Sequence, residues 1–211
     1  MEEIAPSIAR YLDALVPERT GDMVIMEDYA KAHGFPIIGP SAGYFCYLMT
    51  RVMGARKVFE LGSGYGYSTA WFARGVHENG GGVVHHTVWD SNLSNMARLH
   101  LKNMGYENIV VYHIGEAVET LRNTDDTFDI VFNDIDKSAY PDSLPVIKSK
   151  LKKGGLLIVD NILWHGRILD PSERSRDTEA IRVMIDMVRN DPEWIYSIVP
   201  LRDGLLLAYK Q

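Results

Sequence analysis

Hydrophobic positions along this 211-residue chain follow two rhythms, and the change falls near residue 57. Before it the spacing is helical. Ile4, Ile8, Tyr11, Leu12 and Leu15 recur every three or four residues across 4–16, and Pro17 stops the run. A second helix is predicted from Met23 to Ala32, with Gly34 beyond its end. A third runs from Ser41, a favoured N-cap residue, to Met53, and Gly54 closes it. From Lys57 onward, short apolar runs alternate with helical segments. The runs predict strands at Lys57–Leu61, Val83–Trp89, Ile109–His113, Phe128–Asn133 and Leu156–Asp160. Helices are expected between them at Ser68–Val76, Leu93–Met104, Ala117–Arg122 and Ala139–Leu151. Alternation of this kind implies an α/β, doubly wound, mostly parallel sheet, because parallel strands need crossover connections. The end of the chain breaks the rhythm. A helix at Thr178–Asn190 is followed by strands at Trp194–Val199 and Leu205–Lys210, which flank Arg202-Asp203-Gly204. An Asp-Gly pair between apolar runs predicts a hairpin, so the seventh strand should run antiparallel to its neighbour. Gly166–Arg176, with Pro171, Ser172 and mixed charges, reads as a mobile loop.

Composition narrows the class. Hydrophobic content of 46% and charged content of 24% are those of a globular protein. With 22 basic and 28 acidic side chains the net charge is −6, which argues against general binding to a nucleic-acid backbone. Cys46 is the single cysteine, so no internal disulfide framework exists and a reducing compartment is expected. The acidic start, Met-Glu-Glu-Ile-Ala-Pro, lacks the apolar run of a signal peptide, and no uncharged apolar stretch reaches membrane-spanning length. The expectation is a cytoplasmic protein of one domain, with a helical cap at 1–40 and an α/β core at 41–211. The amphipathic N-terminal helices could pack on a second copy to give a homodimer, or cap a monomer.

Residues 58–68 carry the first chemical signal. Val58-Phe59 leads to Glu60, then glycines stand at alternate positions 62, 64 and 66, interleaved with Ser63 and Tyr65, before Tyr67 and Ser68 open a helix. Glycines at that density after a strand let the backbone turn sharply and approach a ligand closely. A dinucleotide fingerprint would need glycine at position 67, which is Tyr67. Asp90 ends the second strand, followed by Ser91, where an acid can accept both hydroxyls of a ribose; its other use is to cap the next helix. Gly115-Glu116-Ala117 lies at the end of the third strand, either bordering a nucleotide base or simply turning the chain.

Two later strands end in oxygen-rich clusters. The fourth gives Asn133-Asp134-Ile135-Asp136-Lys137 and then Tyr140; the fifth gives Asp160-Asn161 and then Leu163-Trp164. Ligand sites of open α/β sheets lie at the carboxyl ends of strands, so Asp134, Asp160 and Asn161 can converge if those strands are neighbours. Their hard oxygens suit Mg²⁺, Mn²⁺ or Ca²⁺ and suit zinc poorly. Taken singly, Asp160-Asn161 would open a loop and Asp134 would cap a helix. Lys137 is the candidate base, since burial beside a cation disfavours a charged lysine.

Together the glycine turn, Asn133-Asp134-Ile135-Asp136-Lys137 with Tyr140, and Asp160-Asn161-Ile162-Leu163-Trp164 resemble the cation-dependent O-methyltransferases, a family that includes catechol and caffeoyl-CoA O-methyltransferases. The likeness runs from about Ser41 to the closing Pro200-Leu201-Arg202-Asp203-Gly204-Leu205. It implies a Rossmann-like class I methyltransferase fold with a seven-stranded sheet, and S-adenosylmethionine as methyl donor. It implies cofactor contacts by Ile38, Pro40 and Ser41, by Glu60, Gly62, Ser63, Gly64, Tyr67 and Ser68, by Asp90 and Ser91, and by Gly115, Glu116 and Ala117. It further implies a divalent cation, Mg²⁺ foremost, on Asp134, Asp160 and Asn161, with Asp134 between metal and cofactor. Lys137, Tyr140 and Trp164 would meet a small acceptor with vicinal hydroxyls. The chain departs from the family at Asn133 and Ile135, and His165 stands where plant caffeoyl-CoA enzymes carry asparagine. The rival readings are an NAD-dependent oxidoreductase, a non-catalytic binder of S-adenosylmethionine and a nucleic-acid methyltransferase. The glycine spacing, the complete oxygen cluster and the lack of an added basic segment oppose them in turn.

Overall fold

The run Val-Phe-Glu-Leu has no solvent face to offer, and β1 (Lys57–Leu61) is buried on both sides from Val58 onward. This and the following elements come from a computed structural model that describes residues 6–19 and 21–211; Ile4 lies outside them. Six further strands complete the sheet: β2 (Val83–Val88), β3 (Val110–Ile114), β4 (Phe128–Asn133), β5 (Leu151–Val159), β6 (Trp194–Val199) and β7 (Leu205–Lys210). Their order is β3-β2-β1-β4-β5-β7-β6. All run parallel except β7, which pairs antiparallel with β5 on one side and β6 on the other. The expected hairpin therefore forms, and its returning strand enters the sheet and leaves β6 at the edge.

Helices cover both faces. On one lie α2 (Gly21–His33), α3 (Gly39–Val52), α4 (Tyr67–Glu78) and α5 (Ser91–Asn103), where Trp71 and Phe72 join a core with Val58, Phe132 and Ile158. On the other lie α6 (Ala117–Asn123), α7 (Tyr140–Lys150) and α8 (Arg176–Asn190), over Phe59, Leu61, Val131 and Leu157. Side chains alternate between the two cores along each strand, as the two-residue period requires. α1 (Pro6–Leu15) packs on α3 and exposes Ile8, Tyr11 and Leu15. Among the described residues no helix is long and apolar enough to cross a membrane.

Three boundaries differ from expectation for reasons of tertiary structure. α3 starts at Gly39, with Pro40 in its first turn and no side-chain cap. Ser41 is thus not the N-cap; its own N–H, one of the unpaired donors of the first turn, bonds Asp13 Oδ1 of α1 at 3.1 Å. β5 begins at Leu151, ahead of Leu156, because Leu151 pairs with Phe128 before the β4–β5 ladder shifts register at Ile130. β2 ends at Val88, since Asp90 turns the chain into α5.

Candidate active site

The strand order reverses between β1 and β4, and α4 and α7, which follow them, lie on opposite faces. A crevice opens at such a switch point beyond the carboxyl ends of the strands. Gly62 turns the chain there with φ 84°, and a Cβ on it would run into the Asp134 backbone, 2.9 Å from the carbonyl carbon. Asp134 N–H in turn donates to the Leu61 carbonyl at 2.8 Å, so the glycine turn and the β4 end are locked together. Ser63 stitches the turn to β2: its N–H donates to the Thr87 carbonyl at 2.9 Å, and its Oγ accepts from Thr87 N–H at 3.0 Å.

A small, partly open cleft results. Of the residues expected at the cofactor, it brings together Ile38, Gly62, Ser63, Gly64, Tyr67, Ser68 and Asp134. Phe35, Pro36, Ile37 and Tyr65 complete the lining. The sequence offered no periodic signal for residues 35–37, which act as a wall only because α3 docks beside the turn. Pro40 and Ser41 are absent from the lining, in the first turn of α3. Glu60 lies beneath the cleft, fully buried, and burial pushes its carboxyl up to about 7. The hydroxyls of Ser68, Thr69 and Ser63 oppose that rise, yet neither carboxylate oxygen has a hydrogen bond of normal geometry.

Asp90 and Glu116 stand at the ends of β2 and β3, apart from this cleft. Both cap helices. Asp90 Oδ1 accepts from Asn92 N–H at 2.6 Å, in front of Ser91, the first residue of α5. Glu116 uses both oxygens, on Val118 N–H at 3.0 Å and on Glu119 N–H, ahead of Ala117 in α6. Gly115, at φ 151°, leaves open space where a side chain would stand.

The acid pair sits where β4 and β5 run side by side, with Asn133 in register with Val159. Asp160 N–H donates to the Asn133 carbonyl at 3.1 Å, which places the two acids at adjacent strand ends. Asp160 is buried and its Oδ1 has no hydrogen-bond partner. Burial first, and the charge of Asp134 second, push its carboxyl up to about 7, against a lowering by Arg202. Asp134 is raised by burial and held down by Lys137, whose Nζ donates to Oδ1 at 2.7 Å and to the Ile135 carbonyl at 3.3 Å. Asn161 adopts φ 55°, a left-handed conformation that asparagine tolerates better than other side chains. A buried carboxylate oxygen without a partner, beside a second acid that repels it, is a donor set that a divalent cation would satisfy. Among the described residues no group of three or more His, Cys, Asp or Glu side chains is placed to hold a metal ion. A cation here would rest on two carboxylates, one amide and oxygens from outside the chain.

Tyr140 is expected from the sequence to meet the acceptor. It is fully buried, and its hydroxyl donates to the Asp160 carbonyl at 2.8 Å, while Lys137 Nζ lies 5.1 Å from the ring centroid. Its helix turns inward, so the ring positions Asp160 from within the core. Trp164 is half-buried against that core and stacks on His165 with ring centroids 5.9 Å apart. Arg202 is a site residue that the sequence reading used only as part of a turn. The hairpin turn lands at the carboxyl end of β5 because β7 runs antiparallel to it. There Arg202 Nη1 donates to the Ile37 carbonyl at 2.8 Å, and its charge favours ionisation of Asp134 and Asp160.

A seven-stranded sheet with one antiparallel strand, and a glycine turn at its switch point, form a Rossmann-like fold of the kind seen in solved methyltransferases. The sequence profile of an O-methyltransferase family matches residues 25–211, and the chain belongs to that family. It is 30% identical to catechol O-methyltransferase domain-containing protein 1 of Mus musculus, over 77% of this chain and 63% of that protein. It is 25% identical to a catechol O-methyltransferase of Niastella koreensis, over 85% of this chain and 83% of the relative. In fold it is similar to an O-methyltransferase from Bacillus cereus solved with S-adenosylhomocysteine, with a TM-score of 0.88, 22% identity and 97% of each chain covered.

Proposed function

We propose that this protein transfers the methyl group of S-adenosylmethionine to one hydroxyl of a small vicinal diphenol, with a divalent cation, Mg²⁺ foremost, held by Asp134, Asp160 and Asn161. The observation that carries this reading is the buried Asp160 carboxylate, whose Oδ1 has no hydrogen-bond partner, beside Asp134, which lines the glycine-turn cleft. The name of the Niastella koreensis relative supports a catechol-like acceptor. The free, buried Cys46 supports a reducing, cytoplasmic setting.

When bound, the cation supplies a Lewis acid for the acceptor oxygens and the sulfonium supplies the methyl group. The chain does the rest. The cofactor would lie along Gly62–Ser68 against the wall Phe35–Ile38, which keeps water from the reacting atoms. Tyr140 fixes the backbone of Asp160, and Lys137 stands one step from Asp134. Lys137 Nζ, which donates to Asp134 Oδ1, is the group that would accept the hydroxyl proton. Orientation of both reactants by this rigid frame accounts for a large share of the acceleration.

Methyl transfer from labelled cofactor to a panel of vicinal diphenols should stop in chelator and return with Mg²⁺ or Mn²⁺. Full turnover in chelator would leave Asp134, Asp160 and Asn161 with structural roles only. A separate expectation concerns Asp90. Asp90→Asn keeps an N-cap oxygen and so preserves thermal stability, but it should weaken S-adenosylmethionine binding about tenfold by removing a charged acceptor for the ribose. Unchanged affinity by calorimetry would leave Asp90 as a helix cap alone.

A further inference from the structure

The chain leaving Asn161 makes an uncommon turn. Trp164, His165 and Gly166 are consecutive left-handed residues, with φ of 48°, 52° and 77°. The two that are not glycine cost roughly 1–2 kcal/mol each, so the surroundings must hold them there. Two anchors do so. Upstream, Asp203 of the hairpin turn accepts Leu163 N–H at its carbonyl at 2.9 Å and His165 N–H at Oδ1 at 2.6 Å. Downstream, Arg182 of α8 gathers the segment that the sequence marks as loose. Its Nη2 donates to the Arg167 and Asp170 carbonyls at 3.2 and 2.5 Å, and its Nε to the Ile168 carbonyl at 3.2 Å. Its Nη1 donates to the Glu173 carbonyl at 2.7 Å and to Glu179 Oε1 at 2.6 Å.

Four carbonyls from a stretch of irregular backbone thus converge on one guanidinium, whose charge Glu179 balances. The planar fork with its five N–H groups can serve all of them; an ammonium with three cannot. The anchor itself is rigid, because Ile181, Met184 and Val188 bury α8 in the second core. From these contacts we propose that Arg182 is a positioning residue for the methyl acceptor. It holds the turn Trp164–Gly166 in its left-handed form and so sets the Trp164 and His165 rings beside the Asp160-Asn161 end of β5. This rests on the reading that the acceptor binds at that strand end.

The test compares wild type, Arg182→Ala and Arg182→Lys, with catechol as acceptor and S-adenosylhomocysteine as the cofactor probe. Both variants should raise the KM for catechol about tenfold, leave kcat within threefold and leave the dissociation constant for S-adenosylhomocysteine within twofold. Amide exchange should quicken across residues 164–173 and stay unchanged in β4 and β5. Should Arg182→Ala fail to fold, Arg182→Lys decides, since it keeps the stem and charge and loses only the fork. An unchanged KM overturns the proposal, as does a lysine variant that matches wild type, or a cofactor affinity that moves in step with KM. A wild-type protein inactive on catechol and its substituted forms overturns the acceptor reading itself, and this proposal with it; that result is distinct because it involves no variant.

Discussion

Gly62→Ala should abolish measurable methyl transfer and lower the melting temperature by about 4–20 °C. Two costs add. A left-handed φ of 84° penalises any Cβ by roughly 1–2 kcal/mol, and the new methyl meets backbone of Asp134 that cannot swing aside, at about 1–3 kcal/mol for overpacking. At about 2–4 °C per kcal/mol for a chain of this size, the sum gives the stated range. The structural consequence is the larger one. Relief of the clash must move Asp134, whose N–H is tied to Leu61, so the cofactor turn and the acid pair are displaced together. Gly80→Ala is the matched control: φ is 91° there, but open space surrounds the new methyl. It should lose stability through its backbone alone and keep full activity. Equal losses of activity in the two variants would contradict the role given to the Gly62–Asp134 contact.

Asp160→Asn should reduce turnover at least 100-fold, which corresponds to about 3 kcal/mol of transition-state stabilisation, with S-adenosylmethionine affinity within twofold of wild type. Its effect on stability has the opposite sign. The Asp160 carboxyl rises from 3.8 to about 7 in the folded protein. The native state then keeps a proton that the unfolded chain releases, so the contribution of this group falls as pH climbs from about 4 through 7 and levels off above that. In chelator, wild-type melting temperature should therefore decline across pH 5–7.5 more steeply than that of Asp160→Asn, and the variant should be the more stable at pH 7.5. Glu60, also raised to about 7 by burial, and Asp134, raised by burial, contribute slope that remains in the variant. Parallel melting curves across that range would show that the buried carboxyl carries no such penalty.

Legibility of the site followed the range of the forces involved. The glycine turn could be read because alternate glycines after an apolar strand answer a local backbone need, and Gly62 meets it by turning left-handed against Asp134. Asp134 and Asp160 could be read because parallel strands present their carboxyl ends on one side, so any polar residue just past such a strand reaches the same crevice. Asp90 carried two readings in the sequence, and the helix cap is the one the geometry displays.

What the sequence by itself determined was the strand–helix alternation, the antiparallel return at Asp203-Gly204 and the placing of the acids at the ends of β4 and β5, all consequences of short-range periodicity and turn chemistry. Only the tertiary structure decided the rest. Ser41 gives its N–H to Asp13 on another helix, Tyr140 turns into the core to hold Asp160, and Arg202 reaches the carbonyl of Ile37, 165 residues away in the chain. Arg182 binds a loop that precedes it in the chain. Each of these roles depends on which partner burial brings within hydrogen-bonding distance, and that information is spread over residues far apart in the chain, where no local pattern can hold it.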